Sequence, residues 1–420
     1  MHGNGLRVCV IGAGTGGLCL AQGLKQDGIE VAVFERDHAP ADRQQGYRLS
    51  ISAIGRHALA ACLPEGHFAE LLANCAKPSQ SVAFLDHHLH RLLVIDLPRG
   101  DRREHADSEL PVSRIALRHI LSEGLGDVIH YGKKCVGFED EPQGTVIARF
   151  DDGTSAIGDV LIGADGASSR LRAQLLPHAQ RVETGIVAVS GKLGLDAGLR
   201  SAIPPPILRG PTLVLGPNGC FMFASGVDYE DDTAGCTQQY YDRETYVMWG
   251  FSAHRETLGL LGDPAALSGV DAAAAVMPLM DDWHPALRWL VETADPSTVS
   301  AFAVKTSVPI QAWTTRKVTL LGDALHNMTP YRGIGANTAL RDAAALRRAL
   351  VGVADERADL IQALAAYERE MIGYGFAAVQ ASLKDMERFH ARGFLARTAT
   401  KSALRLIDHI PPLKGAFLGR

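Results

Sequence analysis

Gly12, Gly14 and Gly17 stand in the pattern G-x-G-x-x-G, with Thr15 and Gly16 between them. The β-branched run Leu6 to Ile11 leads into these glycines, and a helical pattern follows through Leu24. A strand that turns this tightly into a helix brings backbone N–H groups to face a pyrophosphate. Gly12 makes the turn, Gly14 leaves room for phosphates, and Gly17 lets helix and strand pack closely. Glu35 follows 21 residues after Gly14, closing a second predicted strand, Val31 to Glu35, with Arg36 beside it. A carboxylate there accepts hydrogen bonds from an adenosine ribose. This constellation predicts a dinucleotide site and does not separate FAD from NAD.

Further along stand Gly163-Ala164-Asp165-Gly166 with Ser168, Ser169 and Arg170. A third cluster, Gly322-Asp323-Ala324-Leu325-His326, precedes Pro330, Gly333, Gly335, Ala336 and Asn337. Asp323 comes just after a predicted strand, Lys317 to Leu321. Arg114, Leu117 and Leu121 form R-x-x-L-x-x-x-L on a predicted helix, and Arg48 lies in Gly46-Tyr47-Arg48-Leu49.

In order and spacing, the three glycine-containing motifs resemble the glycine-rich, DG and GD fingerprints of the group A flavoprotein monooxygenases, the para-hydroxybenzoate-hydroxylase-like class. The resemblance implies FAD, held non-covalently, with NADPH or NADH visiting as a transient electron donor. It implies that Asp323 meets the ribityl chain and that the helix opening at Pro330 to Asn337 faces the flavin pyrimidine edge. The partial positive charge of that helix end stabilises reduced flavin by roughly 0.3 to 2 kcal/mol. It further implies that Asp165 organises its loop, that Arg114 contacts FAD, and that Arg48 gates flavin or substrate. The activity implied is hydroxylation of a small aromatic or polycyclic molecule by a flavin C4a-hydroperoxide formed with O2. Epoxidation, Baeyer–Villiger insertion, dehydrogenation without oxygenation and a redox-silent flavin-binding protein stay open.

These residues need a scaffold. The pattern predicts an α/β chain: a Rossmann-like FAD-binding domain, a mainly antiparallel substrate-domain sheet and C-terminal helices. The divisions are 1–180 for the first part of the FAD-binding domain, with inserted strands near 45–100 joining the substrate domain, 181–310 for the substrate sheet, 311–350 for the second FAD-binding part, and 351–420 for the helical region. Val146 to Phe150 and Thr154 to Ile157 flank Asp151-Asp152-Gly153, a hairpin signal. Phe221 and Phe223 on one predicted strand, Met248 on another, and Tyr331 beside the flavin are the expected substrate walls. Met222 and Phe251 lie on the same strands, and alternation lets only some of these side chains face a pocket.

A net charge of -5 offers no general attraction to nucleic acid. The seven cysteines are scattered and form no C-x-x-C pair, which fits a reducing, cytoplasmic setting. No apolar run reaches the roughly 18 to 20 residues that cross a bilayer. The stretch Arg388 to Arg420 carries seven Lys/Arg against the single acid Asp408, and is expected to be a solvated basic helix; membrane or partner docking is the alternative. His87, His88 and His90 are expected at a polar hairpin tip, with no metal, because no further ligand lies nearby in sequence. His326 is expected to shape its turn rather than act as a base. The partners expected are a small-molecule substrate and O2.

Overall fold

The computed structural model describes residues 5–39, 48–97, 109–141, 144–229, 244–410 and 413–414. Gly46, Tyr47, Cys236 and the end of the basic stretch lie outside these. A five-stranded parallel sheet runs in the order Val318–Leu320, Val160–Gly163, Arg7–Ile11, Glu30–Phe34, Ile129–His130. Its middle strands are nearly continuous apolar runs, as strands covered on both faces must be. Helices Thr15–Gln26 and Gly335–Ala354 pack against it, together with a three-stranded antiparallel sheet that contains the expected hairpin, Val146–Phe150 with Ser155–Gly158.

The second sheet has seven strands, in the order Ser300–Ser307, Arg181–Gly194, Tyr246–His254, Phe221–Val227, Thr212–Leu215, Ser81–Asp86, Arg91–Asp96. Five of its six pairings are antiparallel; Thr212–Leu215 runs parallel to Ser81–Asp86. One face buries Val189, Met222, Val247, Trp249 and Phe251 against helices Gly269–Val276 and Pro285–Glu292. A small two-stranded sheet, Arg48–Ile51 with Leu110–Ser113, stands apart from both large sheets.

The helical region departs from the sequence reading in two places. The helix from Gly335 runs through residue 350 and stops at Ala354, where Glu356 takes a left-handed φ of 58° and Asp359 caps a new helix, Leu360–Phe389. The last helix, Phe394–His409, is more than a solvated tail. Its Leu404 and Ile407 pack with Phe84, Leu92 and Leu93, and Asp408 pairs with Arg91 at 2.8 Å and Lys414 at 2.8 Å. Phe394 and Leu395 remain exposed on it. Among the described residues no helix is long and apolar enough to cross a membrane, and the six described cysteines are buried.

Candidate active site

Ile11 pairs with both Phe34 and Gly163, and Gly163 pairs with Leu320. The segments leaving these strand ends therefore emerge side by side: the Gly12–Gly17 turn, Glu35, Asp165 and Asp323. The crevice beyond the carboxyl ends of parallel strands is where open α/β sheets bind ligands. Motifs separated by more than 300 residues thus meet at one edge.

Gly12 and Gly17 each answer a steric demand within the protein, and Gly14 does not. Gly12 has φ 109°, and a Cβ there would lie 2.3 Å from the Ala164 carbonyl oxygen. A Cβ on Gly17 would lie 2.2 Å from the Gly12 oxygen. One on Gly14 would meet nothing within 4 Å. Gly16 is packed on Leu321 and Ala339 of the neighbouring segment, and Thr15 opens the helix. Glu35 is buried; one oxygen accepts the Ala13 N–H at 2.8 Å and the other the Asp37 N–H at 3.0 Å, which ties the turn to the second strand. Arg36 is exposed beside it.

Asp165 accepts the Arg170 N–H at 2.8 Å through Oδ2, while its buried Oδ1 has no partner. Burial raises its pKa, opposed by hydrogen bonds from Ser169 and the backbone. Asp323 is exposed at the crevice, and among the described residues its carboxylate has no hydrogen bond or ion pair. Arg114 is likewise unpaired there. Desolvation lowers its pKa and the field of Asp323 opposes that. Arg118, one turn further along the same helix, is already paired with Asp37 at 3.4 Å. Arg181 also feels Asp323 while donating to Asn327 at 2.6 Å; nothing in its sequence context marks it.

Two helices start at this edge without a side-chain cap. Thr15–Gln26 begins after Gly14, and Gly335–Ala354 begins after Ile334, with Gly333 left-handed at φ 63°. Ser113, Ser268 and Asp359 each cap their helices, while Ala53–Cys62, Glu65–Ala73, Asp323–His326 and Phe394–His409 also lack a side-chain cap. The first N–H groups of an uncapped helix are orphan donors that favour an anion. Pro330 and Ala336 flank the second helix start. Asn337 is buried with its amide committed: it donates to the Ser50 carbonyl at 2.9 Å and accepts the Ser52 N–H at 2.8 Å. This staples the strand carrying Arg48 to the helix start.

The opposite wall is the other face of the seven-stranded sheet, partly covered by the end of helix Leu360–Phe389, where Phe389 stacks on Phe221 with ring centroids 5.0 Å apart. Phe223 pairs with Gly250, Ser225 with Met248 and Phe221 with Ser252, so Phe221, Phe223 and Met248 share one face. Met222 and Phe251 point into the core behind it. Tyr331 reaches this wall from the turn Pro330–Arg332, its ring 5.6 Å from Phe221. Its hydroxyl lies 2.7 Å from His390 Nε2 and 3.0 Å from Ser252 Oγ. His390 Nδ1 donates to the Gly219 carbonyl at 2.7 Å, so Nε2 is the acceptor; burial pushes this imidazole down to about 4. Sequence reasoning missed His390 and Ser252, which have no motif. Arg48 reaches Ser79 Oγ at 3.2 Å and Ser225 Oγ at 3.5 Å. Desolvation lowers its pKa, with Glu109 opposing.

His326 ends the short helix that Asp323 opens and is buried beneath it. It is 1% exposed, with Nε2 2.7 Å from Asp342, whose carboxylate also accepts the Gly322 N–H at 2.7 Å and the Tyr374 hydroxyl. Burial alone would depress its pKa; the Asp342 charge holds it above the ordinary value. The expected turn-shaping role fits this placement. His87, His88 and His90 sit at the tip of the hairpin formed by Ser81–Asp86 and Arg91–Asp96, as expected.

An α/β fold with these converging strand ends defines a dinucleotide-binding oxidoreductase scaffold, and comparison with known proteins narrows the class. A model described as an FAD binding domain matches residues 122–382, and one described as an NAD(P)-binding Rossmann-like domain matches residues 10–55. A dual O-methyltransferase/FAD-dependent monooxygenase of Phaeosphaeria nodorum is 31% identical, over 90% of this chain and 45% of its own length. The chain thus spans about half the length of the first curated relatives it matches. A Photorhabdus luminescens protein described as an FAD-containing monooxygenase superposes with TM-score 0.81 at 30% identity, covering 92% of this chain and 98% of that one. Klebsiella pneumoniae HpxO, complexed with FAD and uric acid, superposes with TM-score 0.79 at 25% identity, covering 98% and 95%. The chain belongs to the single-component, para-hydroxybenzoate-hydroxylase-like family of FAD-dependent monooxygenases.

Proposed function

We propose that this chain takes electrons from NADPH or NADH and inserts one atom of O2 into a small aromatic or polycyclic molecule, with FAD as its cofactor. The observation that carries this reading is the meeting, at one sheet edge, of two uncapped helix starts and the unpaired Asp323 carboxylate, next to an apolar-walled second sheet. The empty space at Gly14 and the orphan Asp165 oxygen fit a large polar ligand there. Bound FAD would supply the redox and oxygen-transfer chemistry.

The chain's own residues would hold and shield that group. The N–H groups after Gly12 and Gly14, on Thr15, Gly16 and Gly17, would take the pyrophosphate. Glu35 and Arg36 would take the adenosine side, and Asp323 with Arg114 the ribityl region. The helix start at Gly335, Ala336 and Asn337 would sit at the pyrimidine edge, with Pro330 and Gly333 shaping its approach and Asp165 ordering the adjoining loop. Phe221, Phe223, Met248 and Tyr331 would form the apolar side that excludes water from the reacting atoms. Tyr331 is anchored for this by His390 and Ser252. Arg48, hydrogen-bonded to hydroxyls among the described residues, would hold a polar oxygen on the substrate. The substrate domain is read as residues 181–310 with the inserted strands, between the FAD-binding parts 1–180 and 311–350.

The direct test is cofactor release. Purified protein should be yellow, lose its FAD on acid precipitation, and bleach on addition of NADPH or NADH without O2. Colourless protein that takes up no FAD, or flavin that stays on the pellet, contradicts the reading.

A further inference from the structure

The three histidines at the hairpin tip are not absorbed by the flavin site. In sequence they lack a further ligand, but the fold brings one across from nearly 200 residues away. Asp282 Oδ2 lies 3.4 Å from His87 Nε2 and 3.9 Å from His88 Nε2. The three ligand atoms lie within 4.8 Å of one another. We propose that His87, His88 and Asp282 form a binding site for a divalent transition-metal ion, of which zinc is the representative.

Geometry supports this first. Two ligands bonded to zinc at about 2.0 to 2.1 Å in a tetrahedral arrangement lie roughly 3.4 Å apart. The His87–Asp282 separation already has that value, and the others close by small rotations of His88 and Asp282, whose side chains are 43% and 80% exposed. Both backbones that carry the ligands are held in place. Asp86 Oδ1 accepts the N–H groups of His88 at 3.0 Å and His90 at 2.9 Å, and the His284 N–H donates to the His87 carbonyl at 2.8 Å. Ligands on braced backbone lose little freedom on binding.

Neighbouring groups leave these three side chains available. Asp281 is paired with Arg288 at 2.9 Å, and Asp86 with His90 at 3.1 Å, so neither carboxylate competes. Lys401 is an opposing charge near His87. Two imidazoles and one carboxylate favour zinc, nickel or copper over magnesium or calcium, which prefer all-oxygen shells. His87 rests edge-on to Trp283, 6.0 Å away, on the side of the seven-stranded sheet turned from Tyr331. A metal here would fasten the hairpin tip to the segment that begins helix Pro285–Glu292, as a structural clamp outside the flavin site.

The experiment is zinc titration of untagged, FAD-loaded protein by calorimetry, with metal analysis after dialysis and thermal melts beside it. The wild type should take up one zinc per chain at this site and melt at a higher temperature with zinc than with magnesium. His88→Ala and Asp282→Asn should each lower zinc affinity at least about tenfold, the scale reached by losing even an outer-shell partner. Both should also lose the zinc-dependent rise in melting temperature, while His90→Ala keeps both. FAD content reports whether each variant folds. Equal zinc binding in wild type, His88→Ala and Asp282→Asn, or none in the wild type, overturns the proposal.

Discussion

Gly14→Val separates ligand binding from folding. Gly14 has φ -80° and ψ 177°, extended backbone open to any residue, and an added Cβ meets no protein atom within 4 Å. The apoprotein should therefore lose no more than about 1 kcal/mol, the scale of a poorer helix N-cap. The branched side chain would instead occupy the space in front of the orphan N–H groups. Losing one charged hydrogen bond costs about 1.5 to 3 kcal/mol, roughly ten- to a hundredfold in FAD affinity; losing two squares that factor. Gly17→Ala is the opposite case, because its Cβ would sit 2.2 Å from the Gly12 oxygen and must disturb the apoprotein itself. Deflavinated protein would be titrated with FAD by flavin fluorescence and unfolded in denaturant without FAD. Wild-type FAD affinity in Gly14→Val, or apoprotein damage equal to that of Gly17→Ala, refutes the reasoning.

Asp323→Ala should weaken FAD by about 1.5 to 3 kcal/mol, read in the same titration, with apoprotein stability unchanged because the carboxylate has no protein partner among the described residues. His326→Ala should lower stability by about 3 to 5 kcal/mol, since it strands the buried Asp342 charge, yet keep oxygenation once FAD is restored. A fall of about 10² to 10⁴ in oxygenation, with flavin reduction intact, would make His326 an acid–base catalyst. Glu368 is 2% exposed, and burial lifts its pKa from 4.5 to about 7 despite a hydrogen bond from Thr315. The folded state therefore holds this proton more tightly, and stability falls as pH rises from 4.5 through 7. Glu368→Gln should stabilise the protein by on the order of 3 kcal/mol at pH about 8, with no gain at pH about 4, in pH-stepped melts.

The glycine turn, Asp165 and Asp323 were legible because each is local in sequence: Gly12 and Gly17 where a Cβ has no room, Gly14 just before a helix opens, an acid just after a strand ends. The parallel strands were legible as apolar runs for the same reason. What long-range packing decides was not. Asn337 reads as a cofactor contact in the motif, yet its amide is committed to Ser50 and Ser52, more than 280 residues away in sequence. His390 and Ser252 gain meaning only when helix Leu360–Phe389 ends against the second sheet beside Tyr331. Asp342 sits inside an unremarkable Arg/Ala-rich helix, and its service to His326 and Gly322 leaves no pattern. The strand register puts Phe221 and Met222 on opposite faces, as alternation requires, with Met222 in the core.

The central claim is that this chain oxygenates its substrate, and isotope-labelled O2 tests it most directly. A panel of hydroxylated aromatic and polycyclic compounds would be incubated with FAD-loaded protein, NADPH or NADH and labelled O2, with products read by mass spectrometry against NAD(P)H consumed. The account expects a product carrying one labelled oxygen atom, formed in proportion to NAD(P)H oxidised. NAD(P)H-independent loss of two hydrogen atoms from a compound, without label, would contradict it and assign the chain to the dehydrogenases.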